Sequence, residues 1–106
     1  MTAQPISVSK NASVDFSAIT LRGEVLYFTE QNALVLIDDQ NGGRERLSVN
    51  LEAYGLTPKP GHVFIKGWSE GAGVAESLAD AGLVELTDKY AVGQFASTAY
   101  EARVIV

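Results

Sequence analysis

Ala33-Leu34-Val35-Leu36-Ile37-Asp38-Asp39-Gln40-Asn41-Gly42-Gly43 is the stretch on which the reading of the fold turns. The apolar run is short, and acids and turn formers close it, so it reads as a buried strand rather than a helix. Asp39-Gln40-Asn41-Gly42-Gly43 is a hairpin turn, because Asn and Gly tolerate positive φ. Beyond it, Arg46, Ser48 and Asn50 alternate with Leu47, Val49 and Leu51, the pattern of a half-buried strand. Before it, Phe16, Ile19 and Leu21 begin an apolar series that continues through Val25-Leu26-Tyr27-Phe28, with Gly23 marking a bulge or bend. Together these segments predict an antiparallel meander.

The remaining segments extend the pattern. Residues 1–13 read as a flexible or edge-strand lead-in to a single domain over residues 14–106. Glu52 to Gly61 holds Gly55, Pro58, Pro60 and Gly61 and reads as a loop. His62 to Lys66 is a fourth strand. Ser69 to Ala81 is the one helical stretch, with Val74, Leu78 and Ala81 as its apolar stripe. Gly71 and Gly73 delay its start to as late as Ala72 or Val74, and Gly82 ends it. Leu83 to Leu86 returns to strand, Gly93 marks a turn, and Ser97 to Val106 supplies a C-terminal strand. The expected fold is α+β: one mainly antiparallel, strongly coiled sheet of five or six strands with one short helix. One helix cannot cover both faces of such a sheet, while Ala33–Ile37 is apolar on both. The N-terminal segment, coiling of the sheet, or a second copy in a symmetric dimer must cover the other face.

Composition narrows the function classes. The chain has 106 residues, 46% of them hydrophobic, enough for one core. Cys is absent, which removes disulfides, thiolate metal sites and a Cys nucleophile. No run approaches the length of a membrane span, and the first residues lack a basic region followed by an apolar one. A cytoplasmic location is expected. Net charge is −5, and residues 70–88 carry Glu70, Glu76, Asp80, Glu85 and Asp88 with no Lys or Arg; the rest of the chain is neutral. No basic run marks a direct nucleic-acid binder.

Few patterns suggest chemistry. Gly71-Ala72-Gly73 lacks the Lys-Ser/Thr pair of a phosphate loop and stands among acids. Asp38 to Gly42 lacks the later glutamate of a calcium loop. One His and no Cys cannot build a usual zinc site, so neither metal nor cofactor is expected. His62, Phe64 and Lys66 share a strand face just before Trp68, a patch suited to an aromatic or anionic ligand. As a general base His62 would need a cleft and a carboxylate partner. Glu76 and Asp80 lie one helical turn apart and, with Glu70, Glu85 and Asp88, form either a solvated face or a docking surface for a basic partner.

Ala33-Leu34-Val35-Leu36-Ile37-Asp38, Gly42-Gly43 and Leu47-Ser48-Val49-Asn50-Leu51, followed by a helical segment ending at Gly82-Leu83, resemble small uncharacterised proteins of bacterial mobile elements, such as phages, plasmids, conjugative elements and gene cassettes. The resemblance spans residues 32 to 100 and implies a context rather than a mechanism. The sequence therefore predicts a non-catalytic protein-interaction module, an accessory factor whose acidic helical face binds a basic partner, as an inhibitor or nucleic-acid mimic where that partner binds nucleic acid. The alternative is a small-molecule-binding domain using His62, Phe64, Lys66 and Trp68, at a dimer cleft if the chain pairs with itself.

Overall fold

The computed structural model describes residues 4–106, with Glu70 by its backbone alone. Seven strands and one α-helix follow in the order β1 (Ile6–Asp15), β2 (Thr20–Phe28), β3 (Ala33–Asp38), β4 (Arg44–Arg46), β5 (His62–Lys66), α1 (Val74–Asp80), β6 (Val84–Val92) and β7 (Ser97–Val104). Single 3-10 turns at Glu52–Tyr54 and Ser69–Gly71 flank β5. No helix among the described residues is long and apolar enough to cross a membrane.

The α+β class and the antiparallel pairing are as the sequence predicts. The single coiled sheet is not. The strands form two sheets, one ordered β1-β2-β3-β4 and one ordered β5-β7-β6. The division falls in Leu47–Leu51, which the alternation marks as one strand. β4 ends at Arg46, Leu47 N–H still donates to Leu34 O at 2.9 Å, and Val49 N–H then donates to Phe64 O at 2.8 Å. The chain thus leaves the large sheet and joins the small one within three residues. Ser48 is buried at the crossing because its Oγ accepts from Leu34 N–H at 3.0 Å. A hydroxyl there satisfies a backbone donor that the departing strand can no longer serve.

Local chemistry sets the other boundaries. The β3–β4 hairpin forms at the predicted turn, with Gly42 at φ 72° and Gly43 N–H donating to Asn41 Oδ1. Residues 6–15 form an edge strand, β1, with two register irregularities against β2; Met1 to Ala3 of the lead-in lie outside the described residues. Gly23 sits where the backbone of β3 comes close: a Cβ there would lie 1.8 Å from Ile37 O. The helix begins at Val74, the late start that Gly71 and Gly73 suggest, with Gly73 at φ 94°.

One core joins Val14, Val25, Leu34, Leu36 and Leu47 of the large sheet to Val63 and Ile65 of β5, Val74, Ala75 and Leu78 of α1, and Ala102 and Val104 of β7. Each Val, Leu or Ile side chain among them contributes about 1.5–3 kcal/mol on burial. A second cluster, Leu51, Phe64, Val92 and Ala99 with Trp68 and Tyr90 against it, fills the other face of the small sheet. Among the described residues no such cluster covers the second face of the large sheet. Val35 and Ile37 are only half-buried there, and β1 lies within the sheet rather than over it.

Candidate functional site

At one end of the molecule the large sheet and the helix part around a cleft of about 480 Å³. Its apolar lining comes from the β1–β2 turn (Phe16 and Ile19), from Leu21, from Leu47 and Val49 at the crossing, and from Val74 at the start of α1. Phe16 N–H donates to Ile19 O at 2.8 Å, and Thr20 Oγ1 donates to Asp15 Oδ1 at 2.7 Å, which fixes the turn. Asp15 N–H donates to Ser77 Oγ at 2.9 Å and ties that turn to α1. Ile19 is left 57% exposed at the mouth.

Among the described residues, the charged groups of the lining are Glu45, Arg46 and Lys66. Arg46 is exposed, with its Nε 3.5 Å from Ser48 Oγ. The stem of Lys66 lies over Gly71, where a Cβ would stand 2.6 Å from Lys66 Cγ, and its ammonium is 5.9 Å from the centre of the Trp68 ring. An apolar floor with cationic groups beside it suits a molecule with a hydrocarbon or aromatic body and an anionic end. The lining holds no His, Cys or Asp.

The chain matches no family model, no curated protein and no solved structure.

Of the four residues of the predicted ligand patch, Phe64 and Trp68 share the second core and the Lys66 ammonium lies over the Trp68 ring, but only Lys66 lines the cleft. Phe64 is 2% exposed in the second core, edge-on to Tyr90 at 5.8 Å, and Trp68 packs against that same core. His62 finds a carboxylate that the sequence does not point to. Glu101 is 1% exposed; it accepts from Lys59 N–H at 2.9 Å and Tyr90 OH at 3.1 Å, and its Oε2 lies 3.3 Å from His62 Nδ1. That last approach is a close contact without hydrogen-bond alignment, since Nδ1 is buried with no aligned partner. The hydrogen bond to Glu101 raises the Tyr90 phenol above its ordinary value, with burial adding to it. Neither His62 nor Glu101 lines any of the three described cavities.

The acids of residues 70–88 also divide. Glu76 and Asp80 are exposed on α1. Glu85 meets Arg103 Nε at 3.1 Å, and Asp88 meets Lys59 Nζ at 2.8 Å. The bond from Lys59 holds the Asp88 carboxyl below its ordinary value, helped by Thr87, and Asp88 in turn raises Lys59. Glu76 lies beside Tyr100, whose phenol is raised chiefly by burial. The side chain of Glu70 lies outside the description. A run that is uniformly acidic in sequence therefore receives two bases in space, from residues 59 and 103. Among the described residues no group of three or more His, Asp or Glu is placed to hold a metal.

Proposed function

We propose that the protein is a non-catalytic binding domain that takes a small apolar or aromatic anion into the cleft between the β1–β2 turn, the sheet crossing and the start of α1. The observation that carries this reading is the cleft itself: about 480 Å³, mostly apolar, with cationic side chains in its lining. That size is within the range of small-molecule sites, where apolar walls supply affinity and a few polar groups fix orientation. The reading keeps the predicted role of Lys66 and moves the rest of the site away from His62, Phe64 and Trp68.

The test is binding of 8-anilinonaphthalene-1-sulfonate, an aromatic anion, followed by its fluorescence. Saturable one-to-one binding is expected. Arg46→Glu and Ile19→Glu alter exposed side chains and should each weaken it at least tenfold, about 1.4 kcal/mol, with circular dichroism unchanged. Absence of saturable binding, or equal binding by both variants, removes the reading.

A second reading is favoured by Glu76 and Asp80, which stand exposed on one helix with no salt bridge among the described residues. In it the domain is an accessory factor that docks a basic partner protein. Complex formation that survives Glu76→Lys/Asp80→Lys, at unchanged folding, counts against it.

A further inference from the structure

The turn that follows β5 is built around the side chain of Lys66. Trp68 O accepts from Gly71 N–H at 3.0 Å, and Ser69 O accepts from Ala72 N–H at 3.2 Å, which folds the chain back beside the strand end. That return leaves no room for a side chain at position 71. A Cβ there would stand 2.6 Å from Lys66 Cγ, 2.8 Å from Lys66 O and 3.2 Å from Lys66 Cε, so the lysine stem lies along the space that glycine leaves open. The peptide after Lys66 is pinned from the other side. Gly67 N–H donates to Thr98 O at 2.9 Å, and a Cβ at position 67 would stand 2.8 Å from Tyr100 Cε2. The turn also carries strain: Ser69 stands at φ 57°, in the left-handed region that residues with a Cβ avoid. Strain of this kind persists where the surroundings over-determine the backbone, and it concentrates at binding sites. Lys66 and Gly71 both line the cleft.

We propose that Gly71 is a positioning residue for the cleft: by giving its Cβ space to the Lys66 stem it sets where that cation stands, and so how well the cleft holds the charged end of an anionic ligand. The proposal rests on the ligand-binding reading above. A lysine on a flexible four-carbon stem loses much rotamer freedom when it grips an anion. A stem already laid along Gly71 has lost that freedom on folding, so less is lost on binding. A methyl at position 71 meets Lys66 first and drives the stem away, while the apolar walls from Phe16, Ile19, Leu47 and Val74 stay in place. The loss therefore falls on the ligand's charge and spares its aromatic body. A glycine needed only for the fold would, when replaced, weaken charged and neutral ligands alike.

The experiment compares two fluorescent probes, 8-anilinonaphthalene-1-sulfonate and N-phenyl-1-naphthylamine, which has the same aromatic body without the sulfonate. Their dissociation constants are measured on the wild type, Gly71→Ala, Lys66→Met and the double variant, with circular dichroism as the fold control. Gly71→Ala and Lys66→Met should each weaken the sulfonate probe about tenfold. Both should leave the neutral probe within about twofold, and the double variant should lose no more than Lys66→Met alone, because Gly71 acts through Lys66. A wild type that binds no sulfonate probe removes the cleft reading and this proposal with it. With that binding intact, a Gly71→Ala variant that binds the sulfonate as the wild type does, that loses both probes equally, or that loses further affinity in the Lys66→Met background overturns the positioning role alone. Carbon-13 relaxation of the wild-type lysine side chains tests the same point whether or not Gly71→Ala folds. The Lys66 stem should be more ordered than that of Lys10, whose side chain is 85% exposed, and equal mobility of the two would overturn the proposal.

Discussion

Replacing Glu101 by Ala tests whether the buried carboxylate is a structural anchor. Glu101 accepts from Lys59 N–H and Tyr90 OH, at 2.9 and 3.1 Å, and is 1% exposed. Each hydrogen bond to an ionised acceptor contributes about 1.5–3 kcal/mol, and relief from burying the charge offsets part of the sum. The unaligned His62 contact adds nothing to that sum. The expected net loss is about 3 kcal/mol, much of the stability of an ordinary domain. With the urea dependence usual for small proteins, the unfolding midpoint should fall by roughly 1–3 M. Glu101→Gln keeps one acceptor and should lose less. Chemical denaturation followed by Trp68 fluorescence reads both variants. A loss under about 1 kcal/mol for Glu101→Ala would show that burying the charge cancels what its bonds contribute, and the anchor argument would fail.

Two further outcomes follow from local geometry. Gly23→Ala places a Cβ against the Ile37 carbonyl, which is backbone and cannot rotate away, so β2 and β3 must separate; a loss of about 2–3 kcal/mol in the same denaturation assay is expected. Asp88 has its carboxyl held below the ordinary 3.8 by Lys59, so the stability it contributes is full above that value and is lost as pH falls through the lower folded-state value. Asp88→Asn should therefore flatten the acid limb of the melting-temperature profile between neutral pH and pH 3, and a variant with the wild-type slope would contradict the pairing.

The fold was largely legible because its signals are local. Asn41-Gly42-Gly43 fixes a hairpin, Gly73 sets the helix start, and the 62–66 run forms β5 as predicted. The division into two sheets was not legible, because Leu47–Leu51 has the same alternation whether it stays with one sheet or passes to another. Only the destination of its backbone hydrogen bonds distinguishes the two cases. Of the residues lining the candidate cleft, the sequence singled out one for ligand binding, Lys66. Phe16, Ile19 and Leu21 read as strand core, and nothing in their spacing says that two of them border a turn that lines a cleft beside the start of α1. Glu101 carried no signal, since a carboxylate in Tyr100-Glu101-Ala102 reads as solvated until Lys59, His62 and Tyr90 are brought to it. The charge of residues 70–88 was read correctly as composition, but pairing with Lys59 and Arg103 is a property of the tertiary structure.

The central claim is that the cleft binds an aromatic anion. A nitrogen–proton correlation spectrum recorded through a titration with 8-anilinonaphthalene-1-sulfonate tests it residue by residue. The account predicts saturable shifts concentrated in the amides of residues 16–21 and 45–49 and of Lys66, Gly71 and Val74. Shifts confined to the shallow hollow at Leu86–Lys89 and Tyr100, or no saturable shifts in a folded sample, would contradict it.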